Sequence, residues 1–373
     1  MAVKEYPFYL KTTVILFGLI LLVYMLSALG DILVPLAFAL MIAILLNPLC
    51  SWFQKHRIPK VAAILLSLLI CFIVVGALMY FLSSQIASFS DQLPTLEQKF
   101  GEIVTDLEGW IYQHFGVETQ KQVDFVKKAL SSGDALVGRT LNTVLGTLGI
   151  VFLIPVYTFM MLFYKQLILS FLYEVFSEEN SARVAEILKE TKSAVQSYIV
   201  GLLIEMLIVG IMNSVALLLL GVKYAILLGV IGAILNMLPY IGGIIAIALP
   251  ILMATVTKDG YSTQFGIVIA YLVIQFIDNN IVFPRVVSFK VQINALISIV
   301  IVLLGNALWG VSGMFLSVPF VAVLKIVFDR IDDLKPWGKL LGDNVPTRHM
   351  GQVWRRRNGN TEVTMIEGKG RKK

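Results

Sequence analysis

Asp278, Asn279 and Asn280 follow one another inside a long apolar run that ends at Pro284-Arg285. A carboxylate beside two carboxamides offers oxygen ligands to a cation and an acceptor to a proton. Lying only a few residues from Arg285, Asp278 is equally suited to cap the end of the run. Glu205 stands inside a second apolar run with no basic residue near it in sequence, so it needs a partner or a proton and is expected to face other helices. Asn213, eight residues on, falls on roughly the same helical face, where a hydrogen bond between helices is its simplest role. Arg285 either pairs with Asp278 or extends its guanidinium head to the cytoplasmic headgroups. A further group consists of Asn236, Pro239, Gly242 and Gly243 in one run and Asn306, Gly310 and Gly313 in another. These would act as a gate or site through exposed backbone dipoles, or simply through tight packing.

Other chemistries find little support. Gly310-Val311-Ser312-Gly313 matches the Gly-x-Ser-Gly pattern around an intramembrane protease serine, but the three histidines, His56, His114 and His349, fall in predicted loops or tails. No imidazole is placed to activate Ser312. A phosphate-binding glycine loop with its lysine and a His-Glu-x-x-His pair are both missing from the chain. Cys50 and Cys71 have no metal-ligand spacing and read as small apolar residues. Neither an enzyme, a cofactor nor a metal centre is expected.

The elements that must hold the polar residues follow from composition. With 58% hydrophobic and 14% charged residues among 373, and a mean hydropathy of +0.84, the chain has too little polar surface for a soluble globule. Apolar stretches of about 20 residues suit helices crossing a ~30 Å core, not the short alternating strands of a barrel. The expected fold is all-α and polytopic, with full spans at 12–29, 32–48, 61–82, 141–164, 198–220 and 264–283. The first is expected to be retained rather than cleaved as a signal. Two more stretches, 222–256 and 291–328, are broken by glycine, proline and asparagine near their middles and read as opposed hairpins. Thirteen residues from 224 to 236 reach about 20 Å, so re-entry is expected rather than a crossing. Backbone that is irregular at membrane depth is tolerated where protein or a water-filled cavity satisfies it.

Basic residues set the orientation. Eleven Lys or Arg follow Phe328, and placing both termini in the cytoplasm leaves only seven of the 30 basic residues outside. The organisation expected is N-terminal scaffold helices at 1–82, an extracytoplasmic helical insertion at 83–140, a fourth span and cytoplasmic linker helix at 141–197, a transport-type inverted repeat with two broken hairpins at 198–328 and a basic disordered cytoplasmic tail at 329–373. In the insertion, Leu93, Leu96, Phe100, Ile103, Leu107 and Trp110 recur at three and four, an amphipathic seam for its own subunit or a neighbour's. The tail carries charge without apolar periodicity. A formal net charge of +6 here marks topology rather than nucleic-acid binding.

Several motifs occur in order: Asn47-Pro48-Leu49, Leu238-Pro239-Tyr240-Ile241-Gly242-Gly243, Gln275 through Asn280, Pro284-Arg285-Val286-Val287, and Trp309 through Pro319. Together they resemble the autoinducer-2 exporter family of bacterial, PerM-like permeases, over about 12–328. Family members often carry Pro where this chain has Gly243. The resemblance implies a homo-oligomeric transporter of the bacterial inner membrane, with lipid and a small solute as partners. It also implies export of a signalling molecule or exchange of sodium or lithium for protons, the proton or sodium being the coupling ion. A passive channel and a structural membrane protein are the other classes.

Overall fold

The computed structural model describes residues 7–90, 152–175, 181–238, 242–258, 260–287 and 293–343, with isolated positions between 98 and 105. Among the described residues every regular element is helical, and six helices are long and apolar enough to cross a bilayer. The chain is thus a polytopic helical membrane protein. The seam of the extracytoplasmic insertion, the first half of the span at 141–164, Pro239 and the tail from 344 onward lie outside the described residues.

Helices α1 (Phe8–Ala28), α2 (Gly30–Lys55) and α3 (Lys60–Ser90) open the chain. After them α4 (Phe152–Phe163) bends by 63° into α5 (Lys165–Val175). Ala43, Leu46 and Cys50 of α2 form one core with Ile64 and Leu68 of α3 and Leu162 of α4. Within it the Cys50 thiol donates to Ser67 Oγ at 3.1 Å, and both cysteines are free.

Helix α6 (Ser181–Leu219) has 39 residues, about 58 Å at 1.5 Å each. The expected span at 198–220 is only its distal half. Nothing interrupts the proximal half, because Ala182, Arg183, Glu186, Lys189 and Glu190 are strong or tolerable helix formers. Helices α7 (Ala225–Asn236) and α8 (Gly242–Thr257) then form the first hairpin. It packs on α6 through small residues four apart on each helix. A Cβ on Gly229 would stand 2.3 Å from Ser214 Oγ and 2.6 Å from its backbone nitrogen, and one on Gly210 would stand 3.4 Å from Ala233 Cβ. This is close backbone approach of the kind that membrane helices use in place of a hydrophobic driving force. The hairpin's two ends meet at the distal end of α6, where Gly221, at φ +64, would place a Cβ 3.1 Å from Lys258 Nζ.

Helix α9 (Ser262–Ile277) runs back along α6 into one wide π turn, Asp278–Val282, and a short α10 (Phe283–Val286). Pro284 accounts for the wide turn. It brings no amide and its ring would clash with the carbonyl four residues earlier, while the Phe283 amide bonds to the Asp278 carbonyl, one residue farther back than in an α-helix. A Cβ on Gly201 would lie 2.8 Å from the Val286 carbonyl oxygen, so this glycine lets the turn settle on α6.

The second hairpin is α11 (Ala295–Arg330), broken at Trp309 (φ −136, ψ 22) and Gly310 (φ 59, ψ −144). The break falls inside the expected interruption, Gly305-Asn306 through Gly313. Gly305 and Gly313 are instead where the arms touch, since a Cβ on Gly313 would stand 2.0 Å from the Gly305 carbonyl oxygen. Both ends emerge together. Ile293 pairs with Gly342, Asn294 Nδ2 donates to the Leu340 carbonyl at 2.8 Å, and α12 (Lys335–Leu341) folds against Asp329 at Gly338. Arg330 joins Glu186 and Glu190 near the proximal end of α6. The two hairpins therefore open toward opposite ends of α6. The second tip reaches the α1–α2 junction, where Trp309 Nε1 donates to the Leu26 carbonyl at 2.9 Å and its ring fits against Gly30.

Gly229→Ala is expected to lower the melting midpoint of the detergent-purified protein, overpacking at such contacts costing about 1–3 kcal/mol. Gly18→Ala in α1, where an added Cβ meets nothing within 4 Å, should leave it unchanged or raise it slightly. Equal effects in the two variants would show that the α6–α7 contact does not set stability.

Candidate functional site

Asp278 lies at the start of the wide turn, only 2% exposed, and Glu205 on α6 is 5% exposed. The two carboxylates are close enough to act on each other electrostatically. Asn236, the last residue of α7, donates from Nδ2 to Asp278 Oδ2 at 2.9 Å. Asp278 Oδ1 and Glu205 Oε2 are buried and have no hydrogen-bond partner. Among the described residues no Lys or Arg forms an ion pair with either carboxylate. An ionised group in such surroundings is costly unless something neutralises it.

A small cavity opens beside Asp278, with about 10 Å³ of room for the centre of a water molecule, on the order of one water. Asn213 and Val209 from α6, Gly232 and Asn236 from α7, Gly243 and Ala246 from α8, and Tyr271 and Gln275 from α9 complete its wall. Asn213 Oδ1 and Tyr271 Oη are, like Asp278 Oδ1, buried and unpartnered. Three oxygens, one from α6 and two from α9 and its wide turn, thus belong to residues lining one space. Glycine keeps that space open. A Cβ on Gly232 would stand 3.3 Å from Asn213 Nδ2 and 3.5 Å from Tyr271 Oη, and one on Gly243 2.8 Å from Gln275 Oε1.

The sequence-identified residues divide into those at the cavity and those away from it. Asp278, Asn236 and Gly243 line the cavity, Asn213 joins them, and Glu205 sits nearby. Gly242 abuts the Leu235 carbonyl at the hairpin tip. Asn279 and Asn280 face outward, the first accepting from Gln275 Nε2 at 3.2 Å and the second donating to the Phe276 carbonyl at 2.8 Å. They supply no oxygens to Asp278. Arg285 is exposed and does not pair with Asp278. Asn306, Gly310 and Gly313 belong to the second hairpin, away from the cavity. Tyr271 and Gln275 escaped the sequence reading. Tyr271 precedes Asp278 by seven residues, two helical turns, and that spacing was the signal for a shared face.

The model of the AI-2E transporter family matches residues 13–333. The chain belongs to the AI-2E transporter family. Its relatives include the AI-2 transport protein TqsA of Escherichia coli K12, 26% identical over 90% of this chain and 96% of that protein. A transport protein of Haemophilus influenzae is 26% identical over 84% of this chain and 91% of its own length. The permease PerM of Escherichia coli K12 is 28% identical over 55% and 59%. Membership makes this a multi-pass transport protein and gives the buried polar cluster its context, a polar pocket between the helices of a transporter.

The Asn236–Asp278 bond is testable alone. Asn236→Leu should lower the melting midpoint, because a buried acceptor left without its donor costs about 1–3 kcal/mol. In a double-mutant cycle with Asp278→Leu the two changes should be non-additive by about 0.5–3 kcal/mol. Strict additivity would mean that the bond contributes nothing.

Proposed function

We propose that this protein is a secondary transporter in which Asp278 is the coupling group and the two opposed hairpins gate the pathway. The observation that carries this reading is that Asp278 Oδ1, Asn213 Oδ1 and Tyr271 Oη, all buried and unpartnered, belong to residues lining a cavity formed where the first hairpin meets α9. A lone carboxylate there requires a proton or a small cation, and binding either removes the cost of burying its charge. Intramembrane carboxylates without basic partners commonly serve as ion or proton relays.

The cavity is of water size, so it suits a coupling ion and not an organic solute. The solute itself is a small molecule, exported from the cell. A molecule like autoinducer-2 is favoured by the relative named as an AI-2 transport protein. Exchange of sodium or lithium for protons is the second reading, and it is favoured by the all-oxygen set of unpartnered atoms, which matches hard cations. Opposed hairpins on either side of one long helix resemble the inverted repeats of secondary transporters, in which one half rocks against the other. The distribution of basic residues supports cytoplasmic termini in the inner membrane.

The experiment is flux in proteoliposomes under a proton gradient, a sodium gradient or none, with autoinducer-2 and lithium as the transported species. Wild type should show gradient-dependent flux. Asp278→Asn should lose that dependence, and Glu205→Gln should weaken it. Saturable dependence on sodium would assign the coupling ion as sodium, and dependence on pH alone would assign the proton. Flux that is equal in all three proteins and indifferent to both gradients would favour a passive channel.

A further inference from the structure

Where α4 ends, three lysines gather without a counter-ion. The bend at Tyr164 deprives the Phe163 carbonyl of the amide that a continuing helix would bring, and Lys60 Nζ donates to it at 2.6 Å. The same ammonium stands 5.1 Å over the Phe163 ring. Lys165 Nζ donates to Asn47 Oδ1 on α2 at 2.9 Å. Burial first, and then the charges of Lys192 and Lys60, holds the Lys165 ammonium below the usual amine range. Lys165 on α5 therefore lies within electrostatic reach of both Lys60 on α3 and Lys192 on α6. Among the described residues no carboxylate forms an ion pair with any of them. An ammonium has three donors, and Lys60 and Lys165 direct one each at the acceptors just named.

The level of this cluster in the bilayer follows from α5. It leaves α4 at 63° and keeps no residue buried, and Leu167, Phe171 and Val175 are exposed by 65%, 61% and 58%. A short amphipathic helix of this kind lies in the plane of the membrane surface. Gathering like charges at that level is unfavourable unless an anion joins them.

We propose that Lys60, Lys165 and Lys192 form a binding site for the phosphate of an anionic glycerophospholipid. The acyl chains would cover the exposed apolar side of α5. Basic pockets between helices at a membrane surface hold anionic headgroups in this way. The site is separate from the Asp278 cavity and does not rest on the transport reading.

The test uses full-length protein in detergent, its melting midpoint followed with added phosphatidylglycerol, phosphatidylcholine or sodium phosphate. Phosphatidylglycerol should raise the midpoint of wild type in a saturable way, and the other two should not. Lys192→Gln and Lys165→Gln should each weaken phosphatidylglycerol binding roughly fivefold, each surface lysine contributing about 1 kcal/mol. Lys223→Gln and Lys258→Gln, beyond the opposite end of α6, should leave it unchanged. Lys192 is exposed, so its variant keeps the test valid if Lys165→Gln fails to fold. An equal shift with phosphatidylcholine or with inorganic phosphate overturns the proposal, the latter by assigning the cluster to a free anion. Unchanged binding in Lys192→Gln and Lys165→Gln also overturns it.

Discussion

A backbone reversal packed among apolar helices must find protein partners for its amides and carbonyls. Both hairpins are organised around this constraint. At the first tip Gly242 lets the chain double back against the Leu235 carbonyl. At the second, Gly310 takes the positive φ of the reversal, and Gly305 and Gly313 bring the two arms into backbone contact. Trp309 then gives its indole N–H to the Leu26 carbonyl near the end of α1, where the helix itself offers no further amides. The reversal of one hairpin thereby satisfies the end of another helix.

Helix α6 carries these parts at fixed distances. Its proximal end holds Glu186 and Glu190 for Arg330. Its middle presents Gly201 to the turn after Asp278, with Glu205 one turn on, and its distal half receives the first hairpin at Gly210, Asn213 and Ser214. The two hairpins are attached differently. The first is joined along its length by small residues that leave no slack. The second is largely exposed along its first arm, while its second arm packs Leu316 into a core with Tyr198 and Leu202 of α6 and sets Ala322 and Ile326 against Ala194. Arg330 and Asn294 fix its ends, and Trp309 and Phe315 its tip, the Phe315 ring stacking on Phe38 with centroids 5.7 Å apart.

Much of this was legible in the sequence, because apolar runs of membrane length and their interruptions are strong one-dimensional signals. The spans at 12–29, 32–48, 61–82, 198–220 and 264–283 and both hairpins follow from them, as do Asp278 and Glu205 as exceptional residues. What was not legible was partnership. Asn279 and Asn280 stand next to Asp278 in sequence and yet face away, since successive residues on a helix point about 100° apart. Its actual donor, Asn236, is 42 residues distant, and no local pattern encodes that. The break at Trp309-Gly310 lies inside the interruption read from Gly305 to Gly313, but which of its glycines turns the chain was not readable. Glycine marks both a reversal and a close contact, and only the fold separates the two uses. Likewise the extent of α6 exceeded its apolar part, because helix propensity persists where hydropathy ends.

The single donor to Asp278 has a thermodynamic consequence. Asn236 ends the first arm of the first hairpin and Asp278 begins the wide turn after α9, so their hydrogen bond spans the boundary between two elements. A proton or cation arriving at Oδ1 reduces the negative charge that Oδ2 offers to Asn236, weakening a charge-assisted bond toward an ordinary one. Linkage then requires the reverse: whatever draws the tip of α7 away from Asp278 must change the affinity of that carboxylate for its ligand by the same factor. Had a lysine or arginine been the partner, its fixed charge would have held the carboxylate ionised and indifferent to ligand. With a neutral amide contributed by another element, ligand bound at Oδ1 and the docking of the α7 tip would depend on each other.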